Sequence, residues 1–136
     1  MCLSSELSKK AAQTIKDEAR KRGYIRVYKV CRKKTTGWCY GLRWAKGLRK
    51  AKCLKMYEAG WYAHLDLDGA ERSRKRKRWE EKHFIQTCYA KPLWIKRLGR
   101  DDYNDKVGIF THLAFPVWKK GDMTIREFRE MCRKQK

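Results

Sequence analysis

The chain has 136 residues, with 36 Lys and Arg against 15 Asp and Glu, a formal net charge of +21. The length suits one domain, and a hydrophobic fraction of 42% argues against wholesale disorder. So many like charges repel one another in a compact fold, which points to a polyanionic partner, and no apolar run reaches the ~18 residues of a helical membrane span.

The N-terminus (Met1-Cys2-Leu3-Ser4-Ser5-Glu6) lacks a positive region followed by an apolar one, which predicts a cytoplasmic protein rather than a secreted one. The six cysteines are then expected as free thiols. Their spacing, combined with His64, His83 and His112, matches no zinc motif, and Cys31, Cys39, Cys53 and Cys88 read as small buried apolar residues. With two prolines, no Gly/Ser linker and no repeat, residues 1–136 read as a single domain.

In chain order, Leu3, Leu7, Ala11, Ile15 and Ala19 recur every four residues and predict a helix over residues 4–22, stopped by Gly23. Residues 24–32 are rich in β-branched and aromatic side chains and predict a strand. Lys33-Lys34-Thr35-Thr36-Gly37 reads as a hairpin loop. The returning strand places Trp38, Tyr40, Leu42 and Trp44 on one face, expected to pack inward, with Trp44 the exception at the strand's end. Residues 48–57 fit a strand and a helix equally, and residues 60–65 read as a short strand or loop.

Asp68, with Glu71 three positions on, reads as the cap of a second helix. The following run, residues 72–78, has no apolar stripe, so the basic excursion over about residues 68–82 is expected to protrude or fray. Residues 84–90 predict a strand, Pro92 to Ile95 the start of a short helix, residues 100–105 a polar turn, and residues 107–115 one alternating strand ended by Pro116. A last helix begins at Thr124, with Glu127 as its capping-box partner and Met123 stapled onto Phe128. The pattern is α+β: a mostly antiparallel sheet with an N-terminal and a C-terminal helix.

Two basic blocks carry the functional reading. Residues 19–57 hold fourteen Lys or Arg and no Asp or Glu, with Tyr24, Tyr28, Trp38, Tyr40 and Trp44 interleaved. Lys33, Lys34, Arg43, Lys46, Arg49 and Lys50 around a sheet rim would neutralise several phosphates, while an exposed Trp44 would stack on a base. The second block is Arg72, Arg74, Lys75, Arg76, Lys77 and Arg78, whose arginines suit forked phosphate contacts. The expected function is phosphate-backbone binding of DNA or RNA, without catalysis, cofactor or membrane. A weaker pattern, His64-Leu65-Asp66-Leu67-Asp68, places a histidine beside carboxylates and admits a metal-dependent nuclease using His64 and Asp66. Asp101-Asp102-Tyr103-Asn104-Asp105 lacks the Gly and Glu of a calcium loop and reads as a turn.

The initial Met1-Cys2, Tyr28-Lys29-Val30, the Gly60-Trp61-Tyr62-Ala63-His64 segment and the later strands resemble a group of small uncharacterised bacterial and phage proteins. His64 lies further from Gly60 than is usual there, and the 72–78 run is an addition. The resemblance implies a phage or mobile-element origin and carries over no catalytic residue. The alternative to direct nucleic-acid binding is an interaction protein of phage type: an anti-CRISPR-like inhibitor docking on a host nucleoprotein complex, on its acidic protein surface or its guide RNA.

Overall fold

A computed structural model describes residues 3–32, 47–51, 60–76, 83–116 and 123–134. These residues form three α-helices and one antiparallel sheet of eight strands, an α+β fold. The order along the chain is β1 (Ser5–Glu6), α1 (Lys9–Arg22), β2 (Ile25–Arg32), β3 (Gly47–Lys50), β4 (Trp61–His64), α2 (Leu67–Arg76) and β5 (His83–Ala90). A single 3-10 turn (Pro92–Trp94) then leads into β6 (Ile95–Arg100), β7 (Lys106–Phe110), β8 (His112–Phe115) and α3 (Ile125–Lys134).

Across the sheet the order is β1-β6-β7-β4-β2-β5-β8-β3. Only Thr111 separates β7 from β8, yet they stand four places apart, so the sheet must curl. Two contacts cross the concavity. The Trp61 indole N–H on β4 donates to the Arg49 carbonyl on β3 at 3.0 Å, and its ring meets Phe115 edge-on with centroids 4.9 Å apart. Val27, Ala63, Cys88, Ala90, Phe110, Leu113 and Phe115 fill the space between.

Strand register assigns the two faces, because paired residues point the same way. Tyr28 opposite His64 and Tyr89 opposite Ala114 belong to the outer face. Val27 opposite Cys88 and Lys29 opposite Gln86 belong to the inner one. Cys31 and Cys88 are buried and in no disulfide, as expected; Cys39 and Cys53 lie outside the described residues.

Several elements depart from the sequence expectation. The first helix begins at Lys9, where the Ser8 hydroxyl accepts from the Ala11 N–H, because Ser5 and Glu6 are recruited as an edge strand beside β6. Gly23 ends it in the left-handed conformation at φ 83°, as expected. The 107–115 stretch is two strands rather than one, since β7 pairs with β4 and β6 while β8 pairs with β3 and β5. Residues 95–100 are a strand with no clean alternation to announce it. Within the ambiguous 48–57 segment, Leu48 to Lys50 belong to β3. The predicted hairpin loop and returning strand at 33–44 lie outside the described residues.

Candidate functional site

The segment expected to protrude is docked over its described part. α2 buries Gly69, Ala70 and Ser73 against the outer face, beside β2, β4 and β5. Small side chains, not an apolar stripe, make that approach. A Cβ on Gly69 would stand 3.3 Å from the His64 ring and 3.4 Å from the Asp105 side chain. The helix also starts earlier than Asp68: the Asp66 carbonyl accepts from the Ala70 N–H, and Asp68 sits inside the first turn. Glu71 therefore serves no capping box and pairs with Arg74 at 2.9 Å.

Beneath α2 the β6–β7 turn delivers two carboxylates. Asp101 Oδ1 accepts the Tyr103 N–H at 2.9 Å and the Asp105 N–H at 3.0 Å, while Asn104 takes a positive φ of 67°. This pins Asp101 and turns its Oδ2 toward His64, whose Nε2 lies 3.5 Å away. Asp105 Oδ1 receives the Arg72 guanidinium through both Nε, at 3.1 Å, and Nη2. Arg76 lies over the Tyr103 ring with its Cζ 3.6 Å from the centroid. Its Nη2 stands 3.9 Å from Asp101 Oδ2 and 3.7 Å from Asp105 Oδ2, too far for hydrogen bonds.

Two buried polar atoms are consequently left without hydrogen-bond partners, His64 Nε2 and Asp105 Oδ2. His64 is 2% exposed and Asp105 7%. An unsatisfied buried polar group costs about 1–3 kcal/mol, so two in one place call for a reason. Burial pushes the His64 pKa down, opposed by the charges of Asp101 and Asp105, and favours a neutral ring. The Arg72 hydrogen bond holds the Asp105 carboxyl below its ordinary range, so it is ionised. Burial, with Asp101 next, pushes the adjacent Tyr62 hydroxyl up, and it stays protonated.

The carboxylates grouped with His64 are not the one its sequence neighbourhood suggests. Asp66 is exposed at the start of α2, and the carboxylates beside His64 come from the turn read only as a polar connection. A sequence reading pairs His64 with the nearest alternate residue; the fold pairs it with residues 37 and 41 positions away.

The predicted phosphate contacts divide. Arg49 and Lys50 are exposed on edge strand β3. Lys75 is exposed on α2, whereas Arg72, Arg74 and Arg76 are engaged with carboxylates of the fold. Lys33, Lys34, Arg43, Trp44, Lys46, Lys77 and Arg78 lie outside the described residues. The structure adds a cleft of about 590 Å³ between α1 and the sheet, where Arg22, Arg26 and Lys106 stand around Tyr24 and Tyr28, with Glu18 and Asp66 on its wall. Arg26 is oriented by the Tyr89 hydroxyl, which accepts from its Nη2 at 2.8 Å. Arg22 and Arg26 already stand out as basic; what sequence could not show is that Lys106, from a distant strand, joins them. Among the described residues no helix is long and apolar enough to cross a membrane. No protein-family model, no curated protein and no solved structure matches this chain.

Proposed function

We propose that the protein binds nucleic acid through its phosphate backbone and is not itself an enzyme. The observation that carries this reading is the charge excess: pairing all 15 carboxylates would still leave 21 cations without an acidic partner (36 − 15 = 21). Asp105 and Glu71 are two of the carboxylates that arginines of the protein's own occupy. Exposed Arg49, Lys50 and Lys75 are then contact residues, together with the α1 cleft, where tyrosines beside cations suit an unpaired base next to its phosphate. The basic residues at 33–46 and 77–78 extend the same set.

Fluorescence anisotropy with labelled duplex DNA, single-stranded DNA and single-stranded RNA, over a salt series, tests the reading. Neutralising about six phosphates of a duplex gives a log–log salt slope near −5. The combined variant Lys50→Ala, Lys75→Ala weakens binding to all three probes and leaves the thermal melt unchanged. Absence of binding to every probe at low salt, or a flat salt response, defeats the proposal.

A further inference from the structure

His64 Nε2, Asp101 Oδ2 and Asp105 Oδ2 converge from β4 and the β6–β7 turn, and one ligand atom from each residue lies within 4.8 Å of the others. We propose that these three side chains form a binding site for one divalent transition-metal ion of the Mn²⁺ class, with Arg76 as the competing cation beside it.

Four features support this. Among the described residues, the buried His64 Nε2 and Asp105 Oδ2 have no hydrogen-bond partner, and their nearest charged neighbours are Asp101 Oδ2 at 3.5 Å and Arg76 Nη2 at 3.7 Å. Each carboxylate has one oxygen fixed and one left over: backbone N–H groups hold Asp101 Oδ1, and Arg72 holds Asp105 Oδ1. Such outer partners orient ligands toward a metal. Two carboxylates suit a hard divalent ion such as Mn²⁺, and the imidazole favours such a first-row ion over calcium or magnesium, which prefer all-oxygen sites. Finally, Nε2 of His64 and Oδ2 of Asp101 are 3.5 Å apart, close to the separation of two donors that each bond one ion at about 2.1 Å.

Arg76 sets the affinity. Its guanidinium is within 4 Å of both free oxygens yet makes no hydrogen bond to either, because the Tyr103 ring holds it. It repels the ion without filling the site. Arg72 must remain, since it orients Asp105. Binding of the ion requires the His64 proton on Nδ1, leaving the Nε2 lone pair for the metal.

The test uses the full chain, first stripped with chelator, then titrated with Mn²⁺ at pH 7.5 while the electron paramagnetic resonance of free aqueous Mn²⁺ is recorded. Manganese is the probe because thiolates bind it poorly, which keeps the cysteines silent. The expected result is one saturable ion per chain, about tenfold tighter in Arg76→Met and at least about tenfold weaker in His64→Gln and Asp105→Asn. Because those two variants touch buried groups, the wild-type protein supplies an independent reading: substoichiometric Mn²⁺ broadens the ring resonances of His64 before those of His83 and His112. The proposal is overturned if neither wild type nor Arg76→Met binds Mn²⁺ saturably. It is equally overturned if another histidine broadens first, or if folded His64→Gln and Asp105→Asn bind as wild type does.

Discussion

α2 and α3 are both ten residues long, both lie on the outer face of one sheet, and they are held there by opposite means. α3 docks with large apolar groups: Phe128 and Met123 bury against Tyr89 and Ala114, with Ile125, Met131 and Cys132 around them. Phe128 packs on Tyr89 at 5.5 Å and on Trp94 edge-to-face at 6.0 Å. α2 docks with Gly69, Ala70 and Ser73, and the groups beneath it are ionisable. Small residues bring a helix backbone close but bury little area, so α2 gains less from burial than α3. The charged cluster under α2 leaves two polar atoms unpaired, whereas the packing under α3 is apolar. One helix is fastened for stability; the other is positioned at a cost.

The largest expected effect breaks the apolar attachment. Phe128→Ala should lose about 3–5 kcal/mol in a urea unfolding titration, since the ring is buried against Tyr89 and Trp94. A loss below about 1 kcal/mol would mean that α3 contributes little to the core. On the other helix the opposite substitution is the sensitive one. Ala70 is fully buried, so Ala70→Leu pushes α2 off the sheet and costs about 1–3 kcal/mol. If Ala70→Leu is instead neutral, close approach is not what holds α2. The cap of α3 gives a third, smaller reading. The Thr124 hydroxyl accepts from the Glu127 N–H at 3.1 Å, and Thr124→Ala should cost about 1 kcal/mol, seen as a lowered melting temperature.

The same contrast explains what the sequence disclosed. α3 was legible because its signals are local: Thr124, Glu127 and Met123 lie within a few residues of one another, and the apolar spacing follows directly. Gly23 as a helix stop and the turn over residues 101–105 were legible for the same reason. The docking of α2 was not, because Gly69, Ala70 and Ser73 carry no hydrophobic stripe and their burial depends on the sheet's shape. Nor was the division of residues 107–115 into two strands, since alternation runs through Thr111 while the curl assigns each half different neighbours. The His64 cluster depends on that curl and on the β6–β7 pairing, so local spacing directed attention to Asp66 instead. Fold class needed only element types; the cluster needed topology.

The finest test of the comparison is the acid sensitivity that the α2 side contributes. Two depressed pKa values act there, in separate windows. His64 is held low chiefly by burial, so the unfolded chain binds more protons than the folded one once pH falls below about 6.5. Stability contributed by the neutral ring is complete above that pH and is lost as pH falls through the folded value. Asp105 is held low chiefly by its hydrogen bond from Arg72, so its contribution is complete above about pH 4 and is lost at lower pH. Urea midpoints measured in chelator across both windows should therefore fall in two steps for wild type. His64→Gln shrinks the upper step, the remainder belonging to His112, whose pKa burial and then Lys50 also lower, and Asp105→Asn removes the lower one, while Thr124→Ala lowers the whole curve without changing its shape. Equal pH dependence in wild type and both α2-side variants would show that the charges beneath α2 are not coupled to folding, and the distinction between the two helices would reduce to the size of the side chains they bury.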